Sequence, residues 1–181
     1  MDLIVTRWIA IEGAAILERD YREKLCGHFP KALVDTVEAF SHLVHECEKD
    51  REVCRRAGAD MIWPLAEGGI FTALWRMAEE LGCGLEVDLR KIPVRQEIIE
   101  ICELLDLNPY NMLSGGSLLL AARDGLALTD RLERAKVPAA WIGRTTDGND
   151  RLLHNQEHVR YLDRPQREEL YRVYQEGWRP L

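Results

Sequence analysis

The sequence predicts one α+β domain, with helices packed on a β-sheet, and three observations predict it. At 181 residues the chain is long enough to fill a single core. Short apolar runs of strand character recur along it, at residues 3–9, 61–65, 85–89, 118–122 and 139–143. Between them lie longer segments whose apolar residues return at helical spacing.

Taken in order, residues 3–9 are β-rich and mostly apolar, as a buried strand should be. Glu12-Gly13 then predicts a turn before the helix formers of residues 14–25. Gly27 and Pro30 stop that helix, and Leu33, Val37, Phe40 and Leu43-Val44 mark a second. Residues 46–56 are dense in charge, which predicts an exposed helical connection ending near Gly58. Residues 61–65 read as a short strand, in which Pro64, lacking a backbone donor, belongs at a sheet edge or the strand's end.

Gly68-Gly69 opens the next helix, and its Leu74, Trp75, Met77, Ala78 and Leu81 form an ordinary core-facing side. Leu85-Glu86-Val87-Asp88-Leu89 alternates apolar with acidic residues, the pattern of a strand with one buried face. Pro93 introduces a helix through Leu105, and Ser114-Gly115-Gly116-Ser117 breaks the chain before residues 118–122, an apolar run suited to a central strand. A helix over 125–136, a strand over 139–143, a turn at Asp147-Gly148-Asn149-Asp150 and a short helix over 166–174 complete the expectation.

Composition excludes several classes of function. With 24 basic and 31 acidic side chains the net charge is −7, the wrong sign for gripping a nucleic-acid backbone. No apolar run approaches the length needed to cross a bilayer, and Met1-Asp2-Leu3-Ile4-Val5-Thr6-Arg7 is too short and too acidic for a secretory signal, so the expected location is cytoplasmic. The five cysteines form no Cys-x-x-Cys pair, which predicts free thiols.

Gly68-Gly69 is the most informative feature. Glycines let an anion approach the backbone, and the first N–H groups of a helix lack intrahelical partners, so this turn can seat a phosphate. The same pair also serves as a plain strand-to-helix turn, and Glu67 repels an anion unless a metal intervenes. Ser114-Gly115-Gly116-Ser117 is likewise either a ligand-facing loop or a loop entering a buried strand. His42 and His45 share a helical face, but Cys47 and Cys54 lie off it, so no metal site is predicted. Glu86 and Asp88 share a strand face and suit either a magnesium ion or solvent. Trp63-Pro64 and Trp8 suit either an apolar pocket or a covered interface.

The order of these segments resembles the C-terminal domain of the AIR synthase (PurM), HypE and selenophosphate synthetase superfamily. The likeness rests on Leu3-Ile4-Val5-Thr6 with Gly13-Ala14-Ala15-Ile16-Leu17, on Glu67-Gly68-Gly69-Ile70, on Asn108-Pro109-Tyr110 leading to Ser114–Ser117, and on Pro138–Gly143 and Gly148–Arg151. It implies a mixed sheet with packed helices over residues 1–181 as one C-terminal domain, the N-terminal ATP-binding half being absent. It also implies nucleotide- or phosphate-binding roles for Gly13, Glu67, Gly68, Gly69, Ser114, Gly115, Gly116 and Ser117. ATP and magnesium are then expected only together with the missing half, and the partner is that half or a second copy.

Three departures from the family pattern temper the catalytic expectation. Trp63-Pro64 stands where many members carry His-Asp, Glu12 stands where a histidine is common, and the chain ends in Leu181 where HypE ends in a cysteine. HypE chemistry cannot run on a tail without a thiolate. The expected function is the lid of an ATP-dependent protein, related to hydrogenase maturation and inactive alone. The alternative is a non-catalytic interaction module, and a free-standing enzyme using Glu67, Glu86 or Asp88 as base ranks last.

Overall fold

The computed structural model describes residues 1–181 and contains a seven-stranded mixed sheet with seven α-helices. The strands are β1 (Asp2–Thr6), β2 (Met61–Pro64), β3 (Gly84–Asp88), β4 (Leu118–Ala122), β5 (Ala139–Thr146), β6 (Arg151–Asn155) and β7 (His158–Tyr161). The helices are α1 (Ile11–His28), α2 (Lys31–Val44), α3 (Cys47–Ala57), α4 (Gly69–Leu81), α5 (Gln96–Leu104), α6 (Gly125–Arg134) and α7 (Leu170–Glu176). The strand order is β2-β4-β1-β5-β3-β6-β7, antiparallel throughout except for the parallel pair β3 and β6.

Alternation along the strands sorts side chains to two cores. Leu3, Val5, Leu85, Val87, Leu119 and Leu153 point into the larger one, beneath α1, α2, α4 and α5. Ile4, Leu118, Leu120 and Ala122 point the other way, into a smaller cluster beneath α3 and α6. The strand β4 is buried at all five positions because both its faces are covered, which is why it reads as one unbroken apolar run. Pro64 ends β2, and β2 is an edge strand, as its missing donor requires.

Three expectations need correction. The first strand stops at Thr6, and the turn after it is made by Arg7 and Ala10 in left-handed backbone (φ 55° and 61°); Gly13 is not a turn residue but sits in the first turns of α1. There it lets Met112 and the Leu113 carbonyl approach, since a Cβ would lie 2.7 Å from Met112 Cγ. Helix α3 is not merely an exposed connection, because it buries Cys54 and Asp50. The turn expected at residues 147–150 is present between β5 and β6; β3 lies between those two strands, and its Leu85 N–H is held by Asp150 O at 2.8 Å. Strand β7 was not expected at all, because every residue of it is exposed and no apolar pattern marks it.

Burial decides which thiols react. Cys54 and Cys102 lie in the cores, and desolvation pushes each thiol up to about 12, whereas Cys26 is exposed. Iodoacetamide at mildly alkaline pH should therefore alkylate Cys26 rapidly and leave Cys54 and Cys102 unmodified until the protein is denatured; intact mass and peptide mapping would read this directly.

Candidate functional site

The loops that follow β1 and β2 and the loop that precedes β4 meet at one end of the sheet. Residue pairing requires this, because Val5 and Trp63 both sit opposite Leu119, and Pro64 sits opposite Leu118. The three loops are stitched by hydrogen bonds. Leu65 N–H donates to Ser117 O at 2.9 Å, Gly13 N–H to Leu113 O at 2.9 Å, and Leu118 N–H to Thr6 Oγ1 at 3.0 Å. Ser114 Oγ accepts from Ala10 N–H at 2.8 Å and donates to Met112 O at 2.7 Å, and Ser117 Oγ donates to Trp8 O at 2.6 Å.

The structure thus brings Gly13, Gly68-Gly69 and Ser114–Ser117 together, though not in one role. Both serine hydroxyls are spent inside the protein, and both residues are fully buried. Gly115 lies against the Glu12 carboxylate, and Gly116 (φ 94°) lets the loop pass α2, where a Cβ would meet Val44 Cα at 2.9 Å. Gly68 and Gly69 are both left-handed (φ 77° and 60°), and Gly69 is packed against the carbonyls of Tyr110 and Met112.

The first amide of the glycine turn already has an acceptor. Glu168, from the segment leading into α7, takes Gly68 N–H on Oε2 at 2.7 Å and Leu113 N–H on Oε1 at 2.9 Å, and it is only 4% exposed. Nothing in the local sequence flags this residue, since its partners lie 100 and 55 positions away. Beside it opens a groove of about 240 Å³ bordered by Glu67, Gly68, Thr72, Arg76, Gln166 and Arg167. Glu67 is exposed there and accepts from the Tyr171 hydroxyl at 3.0 Å, a bond that raises the tyrosine's pKa.

The remaining candidates have ordinary partners. Glu86 pairs with Arg144 at 2.9 Å, and Asp88 accepts from Arg90 N–H at 3.0 Å at the start of a short 3-10 turn. Trp63 packs on the larger core and donates to Glu80 at 2.9 Å; Trp8 packs there too, with the Arg95 guanidinium 5.3 Å above its ring. No three histidine, cysteine or acidic side chains are grouped to hold a metal ion.

Glu169 is the neighbour that pH would reach. Burial raises its carboxyl above the usual range, against the opposing pull of Asn108 N–H and Arg172, and its Oε2 lacks a hydrogen-bond partner. A carboxyl whose folded pKa is raised holds its proton longer in the folded state. Stability is therefore fullest below the ordinary carboxylate pKa and falls as pH rises through the raised value. Glu169→Gln should flatten that fall, which urea unfolding at stepped pH would measure.

The chain belongs to the AIR synthase related protein family by its C-terminal domain, whose model matches residues 41–154. Among its relatives, it is 36% identical over 56 residues to the carbamoyl dehydratase HypE of Rhodobacter capsulatus, covering 31% of this chain and 16% of that protein. The Escherichia coli K12 HypE is 29% identical over 70 residues, covering 39% and 21%. A crystal structure of E. coli HypE matches 95% of this chain and 52% of its own at 25% identity, with a TM-score of 0.70. A HypE structure in complex with ATP shares the fold at 17% identity and a TM-score of 0.66, over 93% and 52%. The chain spans about half the length of these solved relatives. The mixed sheet with packed helices is the C-terminal fold that HypE has.

Proposed function

We propose that the chain is the C-terminal, substrate-side half of a HypE-like ATP-dependent protein, a single domain over residues 1–181 that acts as a lid and is inactive alone. The observation that carries this reading is the meeting of Gly13, Gly68-Gly69 and Ser114–Ser117 at one sheet end, beside a groove edged by Arg76 and Arg167. One relative of this fold is HypE with ATP and another is HypE with HypF, so the reading includes a nucleotide and a protein partner. Toward a triphosphate this chain offers the two guanidinium groups and the Thr72 hydroxyl. Magnesium ligands would come from the N-terminal half, which is provided in a longer protein, by a separate chain, or around a homodimer in the cytoplasm.

The test is a nucleotide assay on the chain alone and with a family N-terminal domain. The chain alone should leave ATP intact, and the mixture should hydrolyse it, with Arg76→Glu slowing the mixture about tenfold through lost stabilisation of phosphate charge. Hydrolysis by the chain alone overturns the lid reading. A second reading, a non-catalytic module of the same fold, is favoured by Glu168 holding the glycine amide. Calorimetric silence when the mixture is titrated with MgATP would support the module instead.

A further inference from the structure

Three carboxylates are buried in this protein, and one is unlike the others. Glu18 is met by Arg22 and Asp50 by Arg7, but Glu168 has no cation and is bonded only to backbone amides. Those amides come from three segments: Gly68 at 2.7 Å, Leu113 at 2.9 Å and Leu170 at 3.3 Å. Convergent N–H groups around a lone oxyanion are the arrangement by which proteins hold a bound phosphate or carboxylate.

The segment that delivers Glu168 is held mostly from outside. Tyr171 bonds Glu67 at 3.0 Å, Arg172 bonds Asp106 O at 2.6 Å, Tyr174 bonds Asp20, the Trp178 ring lies tilted against Tyr21 with centroids 5.2 Å apart, and Leu181 N–H reaches Leu104 O at 2.9 Å. Within residues 163–181 only Leu170 and Val173 are buried apolar side chains. Few buried contacts and many exposed ties are the mark of a unit that opens without global unfolding.

We propose that Glu168 is an internal ligand on a detachable strap, residues 163–181, and that an external oxyanion competes with it for the amides of Gly68 and Leu113. The inference rests on the reading that the glycine junction faces substrate. Its consequence is regulatory: the amides become available only when the strap lifts, so the apparent affinity for an oxyanion is reduced by the fraction of molecules that are open.

Hydrogen exchange of the unaltered chain is the first test. The amides of Gly68, Leu113 and α7 should exchange together and faster than those of β4; exchange as slow as β4 overturns the proposal, whatever becomes of any variant. In the second, inorganic phosphate and, separately, acetate are titrated into the chain and into Glu168→Ala while amide resonances are followed. Saturable shifts at Gly68 and Leu113, about tenfold tighter in the variant, are expected with one or both anions. Phosphate alone would point to a phosphoryl ligand and acetate alone to a carboxylate, each supporting competition. Equal affinity in both proteins, or no shift in either, overturns it. Competition seen in a protein that never handles ATP with its partner half would sink the lid reading and leave the strap standing.

Discussion

Asp50→Ala is expected to destabilise the protein by about 3 kcal/mol, because it strips the main partner from an arginine whose side chain is largely withdrawn from water. Arg7 leaves β1 in left-handed backbone, its N–H fixed to Pro138 O at 2.7 Å, so its side chain is committed to one direction. The guanidinium meets Asp50 through both carboxylate oxygens and Glu46 at 2.6 Å, and the Asp50 and Arg7 side chains are 6% and 10% exposed. Glu46 remains after the substitution and keeps the cost from the upper end of the range. Urea unfolding measures it, and the double change Arg7→Met with Asp50→Leu should recover most of the loss, since an apolar pair replaces a buried ion pair at little cost. A loss below about 1 kcal/mol would mean that the pair behaves as a solvated surface bridge.

Gly69→Ala is the second large effect, again about 3 kcal/mol, and it separates two causes. A side chain in left-handed backbone costs about 1 kcal/mol by itself. At Gly69 the new Cβ also strikes the Tyr110 carbonyl and lies 2.8 Å from Met112 O, and backbone cannot turn aside as a side chain can. Gly82 is the control: it shares the conformation (φ 59°) but has nothing within 4 Å, so Gly82→Ala should show only the conformational part, about 1 kcal/mol. Equal losses at the two sites would refute the close approach of the β4 loop to the glycine turn.

Much of the architecture was legible because its causes are local. The unbroken Leu118–Ala122 run announces a strand covered on both faces, and Leu85 and Val87 alternating with Glu86 and Asp88 announce one face. What was not legible depends on distant partners. Asp50 looks like one more charge in a charged helix until Arg7, 43 residues away, is folded against it. Glu168 sits in a stretch of mixed charge and becomes special only when two loops arrive over it. Gly13 reads as a turn because glycine usually is one, whereas its use is to admit Met112 beside a helix. In the candidate site, the resemblance grouped the glycine and serine segments and the strand register brings them to one end of the sheet, but the internal carboxylate between them had no such signal.

The position of β1 between β4 and β5 bears on how the protein is made. Its partners are residues 118–122 and 139–146, so β1 is synthesised well before either of the strands it pairs with. At roughly 5–20 residues per second, Leu3-Ile4-Val5 waits on the order of ten seconds for its neighbours to be translated. Through that interval three side chains destined for complete burial lack their partners, and a chaperone that shields short apolar stretches would compete with premature association between nascent chains.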